Sequence, residues 1–125
     1  MTLDRKIALV TGGASGLGRE VARELMGRGS TVVLTDVNAE GLEKTKKELG
    51  VDLVVEGDVS VEDDVIRMYQ TVSDHYGRLD IAINNAGMGV SVPVVESSVD
   101  QFEKLVGVNL RGVYLGTREA MRIMG

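Results

Sequence analysis

Eight residues near the start of the chain, Thr11-Gly12-Gly13-Ala14-Ser15-Gly16-Leu17-Gly18, hold its densest run of glycine and are the first candidates for chemistry. Glycine lets a chain turn sharply and lets an anion reach the free amides at a helix N-terminus, where the helix dipole favours negative charge. A pyrophosphate is the natural ligand for such a loop; a bare turn does not need so many glycines. Gly13 and Gly18 have the spacing of a P-loop, but Arg19-Glu20 follows where Lys and Ser/Thr would hold terminal phosphates and Mg²⁺. That disfavours a nucleoside triphosphatase. The common G-x-G-x-x-G pattern is also not met, because Gly16-Leu17-Gly18 runs on into Arg19, Glu20 and Val21. A second candidate lies far along the chain. Phe102, Leu105, Val106, Asn109 and Val113 are spaced as one inward helical stripe, and Asn109 interrupts it with an amide. A buried amide left unpaired costs about 1–3 kcal/mol, so Asn109 is expected to be fully hydrogen-bonded.

These residues need elements to position them. Ile7–Val10, Thr31–Thr35, Leu53–Val55 and Leu79–Asn84 read as strands, each a short apolar run. Helices follow each: one with Leu17, Val21 and Leu25 on a common face, one opening near Asn38 with a solvated Glu/Lys face, one opening at a Ser60/Asp63 capping box, and a long last one capped by Ser98 and Gln101 and running to about Met124. In the third of these, Val61, Val65, Met68, Tyr69 and Val72 are expected inward, and His75 sits in the last turn before Gly77. Buried strands alternating with helices imply a parallel sheet covered on both faces, a doubly wound α/β fold. In such sheets the ligand lies at the carboxyl ends of the strands. Thr11-Gly12, Asp36, Asp58 and Asn84-Asn85-Ala86-Gly87 all fall at those ends.

The pattern T-G-x-x-x-G-x-G resembles the glycine loop of the short-chain dehydrogenase/reductase family. Asp58-Val59, Asn84-Asn85-Ala86-Gly87 and Val108-Asn109-Leu110-Arg111-Gly112-Val113 resemble three further motifs of that family, in order and at family-like spacing. The resemblance implies a Rossmann-type sheet, one NAD(P)-binding domain over residues 1–125 ending after the fourth strand and its helix, and an oxidoreductase that moves a hydride between a nicotinamide cofactor and a secondary alcohol or carbonyl compound. It assigns Gly12, Ala14, Ser15, Gly16, Leu17 and Gly18 to the cofactor's phosphates, Asp58 and Val59 to its adenine, and Asn85, Ala86 and Gly87 to the wall beside it. Asp36 closes the second strand, where a carboxylate accepts hydrogen bonds from both adenosine ribose hydroxyls and repels a 2′-phosphate. No Lys or Arg follows it in Val37-Asn38, so NAD is expected rather than NADP. Asn109 corresponds to the asparagine of the family's Asn-Ser-Tyr-Lys tetrad. The Ser and Tyr-x-x-x-Lys are not found in these 125 residues. The expectation is therefore an N-terminal half without turnover of its own; a stand-alone module that holds NAD without chemistry is the alternative. Tyr114 with Arg118 imitates Tyr-x-x-x-Lys only superficially. The substrate is not legible, and only the Met88–Val95 loop is placed to touch it.

Composition narrows the remaining classes. Fourteen Lys and Arg against 19 Asp and Glu give a net charge of −5, which argues against a nucleic-acid partner. There is no cysteine and one histidine, so no disulfide framework, thiol nucleophile or metal cluster can be assembled. No apolar run approaches a membrane span, and a cytoplasmic location is expected. Gly107, Gly112 and Gly116 suit a helix that another helix approaches closely, and with an open apolar edge at the fourth strand they point to a homo-oligomer.

Overall fold

The computed structural model describes residues 3–87 and 93–124. Four parallel strands form one sheet in the order β3-β2-β1-β4: β1 (Ile7–Thr11), β2 (Thr31–Asp36), β3 (Leu53–Glu56) and β4 (Ile81–Ile83). Between them run α1 (Gly16–Gly27), α2 (Ala39–Leu49) and α3 (Glu62–Tyr76). After β4 come a 3₁₀ turn (Val94–Glu96), α4 (Val99–Val106), a π-helical turn (Gly107–Arg111) and α5 (Gly112–Met124). The doubly wound parallel sheet expected from the sequence is what the chain forms. β1 is central, with Leu9 opposite Val33 on one side and Ala82 on the other.

Alternation along the strands splits the core in two, as the two-residue period of a strand requires. Ala8, Val10, Val32 and Leu34 face Ala22 and Leu25 of α1 and Leu42 of α2. Ile7, Leu9, Val33 and Val55 face Val65, Met68, Tyr69 and Val72 of α3 and Leu115 and Ala120 of α5. With one phenylalanine and no tryptophan in the chain, both layers are almost wholly aliphatic.

Several expected details are corrected. Leu17 is exposed and Val21 half-buried; Gly18, Ala22 and Leu25 make the buried face of α1, so of the expected three Leu25 alone is fully buried. Val61 is exposed, and Ser60 does not cap α3. The Asp58 carboxylate accepts both the Ser60 amide (2.8 Å) and its hydroxyl (2.6 Å), which turns the side chain back towards Asp58, and α3 starts one residue later with Val61 at its N-cap. The Ser98/Gln101 box does form. β4 is shorter than its apolar run because the Asn85 amide turns back onto the Ile83 carbonyl at 3.0 Å.

The largest correction concerns the last helix. Phe102, Asn109 and Val113 are exposed, and the buried face is Gly107, Gly112, Leu115, Gly116, Glu119 and Ala120. The π turn inserts one extra residue, so a stripe counted at ordinary helical spacing slips out of phase from Asn109 on; Phe102, ahead of the turn, is exposed on α4 without that cause. The three glycines also serve a purpose other than the expected one. A Cβ on Gly107 would lie 3.3 Å from Ser60 Cβ, one on Gly112 2.7 Å from Val59 Cγ2, and one on Gly116 would strike Asn84 Oδ1. Their close approach is to this chain's own loops.

Candidate functional site

β1 ends at Thr11, and the chain then turns on Gly12 (φ 70°) and Gly16 (φ 60°), a backbone region that L side chains rarely adopt. Space enforces the same choice: a Cβ on Gly12 would lie 2.9 Å from Ala86 Cα, and one on Gly18 would strike the Gly12 carbonyl. The buried Thr11 hydroxyl fastens β1 to the end of β4. It accepts the Asn85 and Ala86 amides, each at 3.0 Å, and donates to the Ile83 carbonyl at 3.4 Å. Asn85 Nδ2 completes the clasp on the Gly12 carbonyl at 3.3 Å. Ser15 stands at the N-cap of α1 without bonding an amide there, and the first turn carries no acid. The positive end of this helix is thus left uncompensated by its own side chains.

All four strand ends open into one cleft of about 220 Å³, lined by Gly12, Asp36, Val37, Gly57, Asp58, Val59, Ala86, Gly87 and Val108. Six of the sequence-assigned residues meet there: Gly12, Asp36, Asp58, Val59, Ala86 and Gly87. Asn85 lies behind the wall and holds it. Ser15, Gly16 and Leu17 stand exposed where α1 begins, with Gly18 buried beneath them. Ala14 is buried and works as a junction. Its amide donates to Asp36 Oδ2 at 3.0 Å, and its carbonyl accepts Thr45 Oγ1 and Arg19 Nη2, both at 3.0 Å. Val37, Gly57 and Val108 were missed. The first two adjoin assigned acids at strand ends and could have been found; Val108 could not, because the π turn decides which way it faces.

Both acids of the cleft are held by backbone. Asp36 Oδ1 also accepts the Asn38 amide at 3.0 Å, which leaves each of its oxygens a second lone pair for an incoming hydroxyl. The Asp58 amide donates to Asp64 Oδ2 at 2.9 Å, so two acids buttress one turn. Asn109 is exposed at the mouth rather than buried, and an ideal Cβ on Gly87 would lie 3.2 Å from its Oδ1. Tyr114 and Arg118 lie away from the cleft, the guanidinium 5.9 Å from the ring centroid, and Arg118 pairs with Glu62 at 2.9 Å. Of the Met88–Val95 loop, residues 88–92 lie outside the described residues. Among the described residues no group of His, Cys, Asp or Glu could hold a metal ion, and no helix is long and apolar enough to cross a membrane.

The family model for short chain dehydrogenases matches residues 6–125. This chain belongs to that family. It is 42% identical over 127 residues to tropinone reductase-like 1 of Erythroxylum coca, covering 98% of this chain and 47% of that protein. Zerumbone synthase of Zingiber zerumbet is 38% identical over 129 residues, covering 99% of this chain and 48% of that protein. Among solved structures, a 3-ketoacyl-(acyl-carrier-protein) reductase from Brucella melitensis, complexed with NADH, superposes with a TM-score of 0.93 at 37% identity, over 98% of this chain and 51% of that one. The short-chain dehydrogenase chain thus spans about half the length of the relatives it matches.

Proposed function

We propose that this chain is the dinucleotide-holding part of an NAD-dependent oxidoreductase acting on a secondary alcohol or carbonyl compound. The observation that carries the reading is that the glycine turn leading into α1, at Gly12, lines one cleft with the Asp36 and Asp58 strand ends, while the N-terminus of α1 has no capping side chain or first-turn acid of its own. That donor set fits a nicotinamide dinucleotide. The α1 amides suit its diphosphate, Asp36 its adenosine ribose hydroxyls, and Asp58 with Val59 its adenine. The NADH held by the Brucella reductase supports the same assignment. When bound, the nicotinamide would supply the hydride acceptor or donor. This chain's residues hold and orient it: Ala86 and Gly87 form one wall, Val108 closes the side, and Asn109 stands at the mouth beside Gly87, the end at which a proton relay would be supported.

Asp36 also carries the preference for NAD. A 2′-phosphate would meet a carboxylate, and Val37 and Asn38 offer no cation. Calorimetric titration of the chain with NAD and with NADP tests this directly. NAD is expected to bind the tighter of the two; equal affinities would remove Asp36 from the reading. Asp36→Ala should cost about 1.5–3 kcal/mol of NAD binding, roughly tenfold to a hundredfold in Kd.

A further inference from the structure

Gly107, Gly112 and Gly116 are spaced five and then four residues apart. In a plain α-helix a five-residue step would turn the first of them away from the other two. The π turn spans that step, and its wider turn brings Gly107 back into line. The line lies against both sides of the cleft. Gly107 and Gly112 press on Ser60 and Val59, beside Asp58 on the β3 side. Gly116 presses on Asn84, the residue before the Asn85-Ala86-Gly87 wall on the β4 side.

The contact at Gly112 has the least slack, and those at Gly107 and Gly116 are met by side-chain atoms. Val59 is β-branched and stiff, and a Cβ on Gly112 would come within 2.7 Å of its Cγ2 and 3.4 Å of its carbonyl oxygen. Asn84 is itself tied to α5, Nδ2 to Thr117 Oγ1 at 3.3 Å, one residue beyond Gly116. The point where a Gly116 Cβ would stand is also 3.4 Å from the buried Tyr69 hydroxyl. The helix cannot retreat easily, because Leu115 and Ala120 are locked into the core with α3.

We infer that the three glycines and the π turn together form a spacer that sets the distance between the two walls of the cleft, with Gly112 and Gly116 as positioning residues for the dinucleotide. The inference rests on the cleft being the cofactor site, yet one of its consequences can be read without any cofactor. Hydrogen exchange on Gly116→Ala is expected to speed at the Asn85 and Ala86 amides, which the Thr11 hydroxyl holds. On Gly112→Ala it should speed at the Ser60 and Val61 amides, which Asp58 holds. Amides of β2 and α2 should stay as protected as in the wild type. Gly27→Ala is the control: a helical glycine with nothing within 4 Å of its missing Cβ, expected to move none of these amides.

Loss of protection spread evenly over the sheet, or none at either wall, would overturn the spacer. If Gly116→Ala does not fold, the double variant Asn84→Ala/Gly116→Ala, which removes the obstructing amide, should fold; an unfolded double variant also counts against it. NAD titration of the same proteins reads the cofactor assignment separately. The wild type should bind, and the two wall variants should bind about tenfold more weakly. A wild type that ignores NAD refutes the proposed function while the exchange pattern still decides the spacer.

Discussion

Asp80 is the residue through which acid should reach the fold. Its Oδ1 accepts Arg78 Nη2 at 2.6 Å and its Oδ2 accepts the Ile7 amide at 2.8 Å, where β1 begins. The Arg78 bond first, and the Ile7 bond second, hold its carboxyl below the usual carboxylate range. A carboxyl whose folded pKa is depressed adds stability above its unfolded value, near about 4, and that stability drains away as pH falls through the folded value. Asp80→Asn should therefore flatten the acid limb of a pH-dependent urea denaturation series; an unchanged limb would show that Asp80 does not control it. Tyr69 is expected to shape the opposite limb. Its hydroxyl is buried without a partner among the described residues, and burial, then the Glu119 carboxylate, push it up to about 12. The unfolded chain ionises this group near its ordinary 10, so stability present below that value is lost as pH climbs towards 12. Tyr69→Phe should cost less than about 1 kcal/mol at neutral pH, since it removes an unsatisfied group, and should reduce the alkaline loss.

At the scale of elements, legibility tracked how local the determinants are. β1, β2 and β3 could be placed from apolar runs alone, and Asp36 and Asp58 followed as their terminal acids. Ser98 caps as read, and Asn38, read only as the place where a helix opens, caps as well, because each finds its amide three residues on. Ser60 failed because a competing acceptor, Asp58, lay two residues upstream. The last helix failed for a subtler reason. Periodicity assumes one residue count per turn, and the π turn changes that count midway, so Asn109 moved from core to surface and Val108 entered the cleft unnoticed. Leu9→Ala in the central strand provides a measure of how firmly the elements are joined. Leu9 is fully buried between β2, β4 and α3, and its truncation should cost about 2–5 kcal/mol in urea denaturation.

Among the described residues, one side of the molecule exposes a row of large apolar side chains. Val99, Phe102, Leu110, Val113, Tyr114 and Met121 are exposed along the α4–α5 rod. Monomeric surfaces seldom carry a continuous apolar strip of this kind. Sedimentation of the chain should therefore show mass rising with concentration, and Leu110→Lys with Tyr114→Glu should return it towards the monomer without loss of secondary structure. The glycines that first suggested association face inward, so the association predicted here is expected to rest on the apolar residues exposed along the same rod.

The bond from the Ala14 amide to Asp36 has a consequence for any attempt to change cofactor preference. On the proposed reading the acid would serve the ribose and the loop at once: exchanging it for a basic residue would also strip the neighbouring loop of the acceptor for the Ala14 amide. A lineage, or an engineer, seeking the phosphorylated dinucleotide would have to supply a replacement acceptor first, so the switch requires at least two ordered changes.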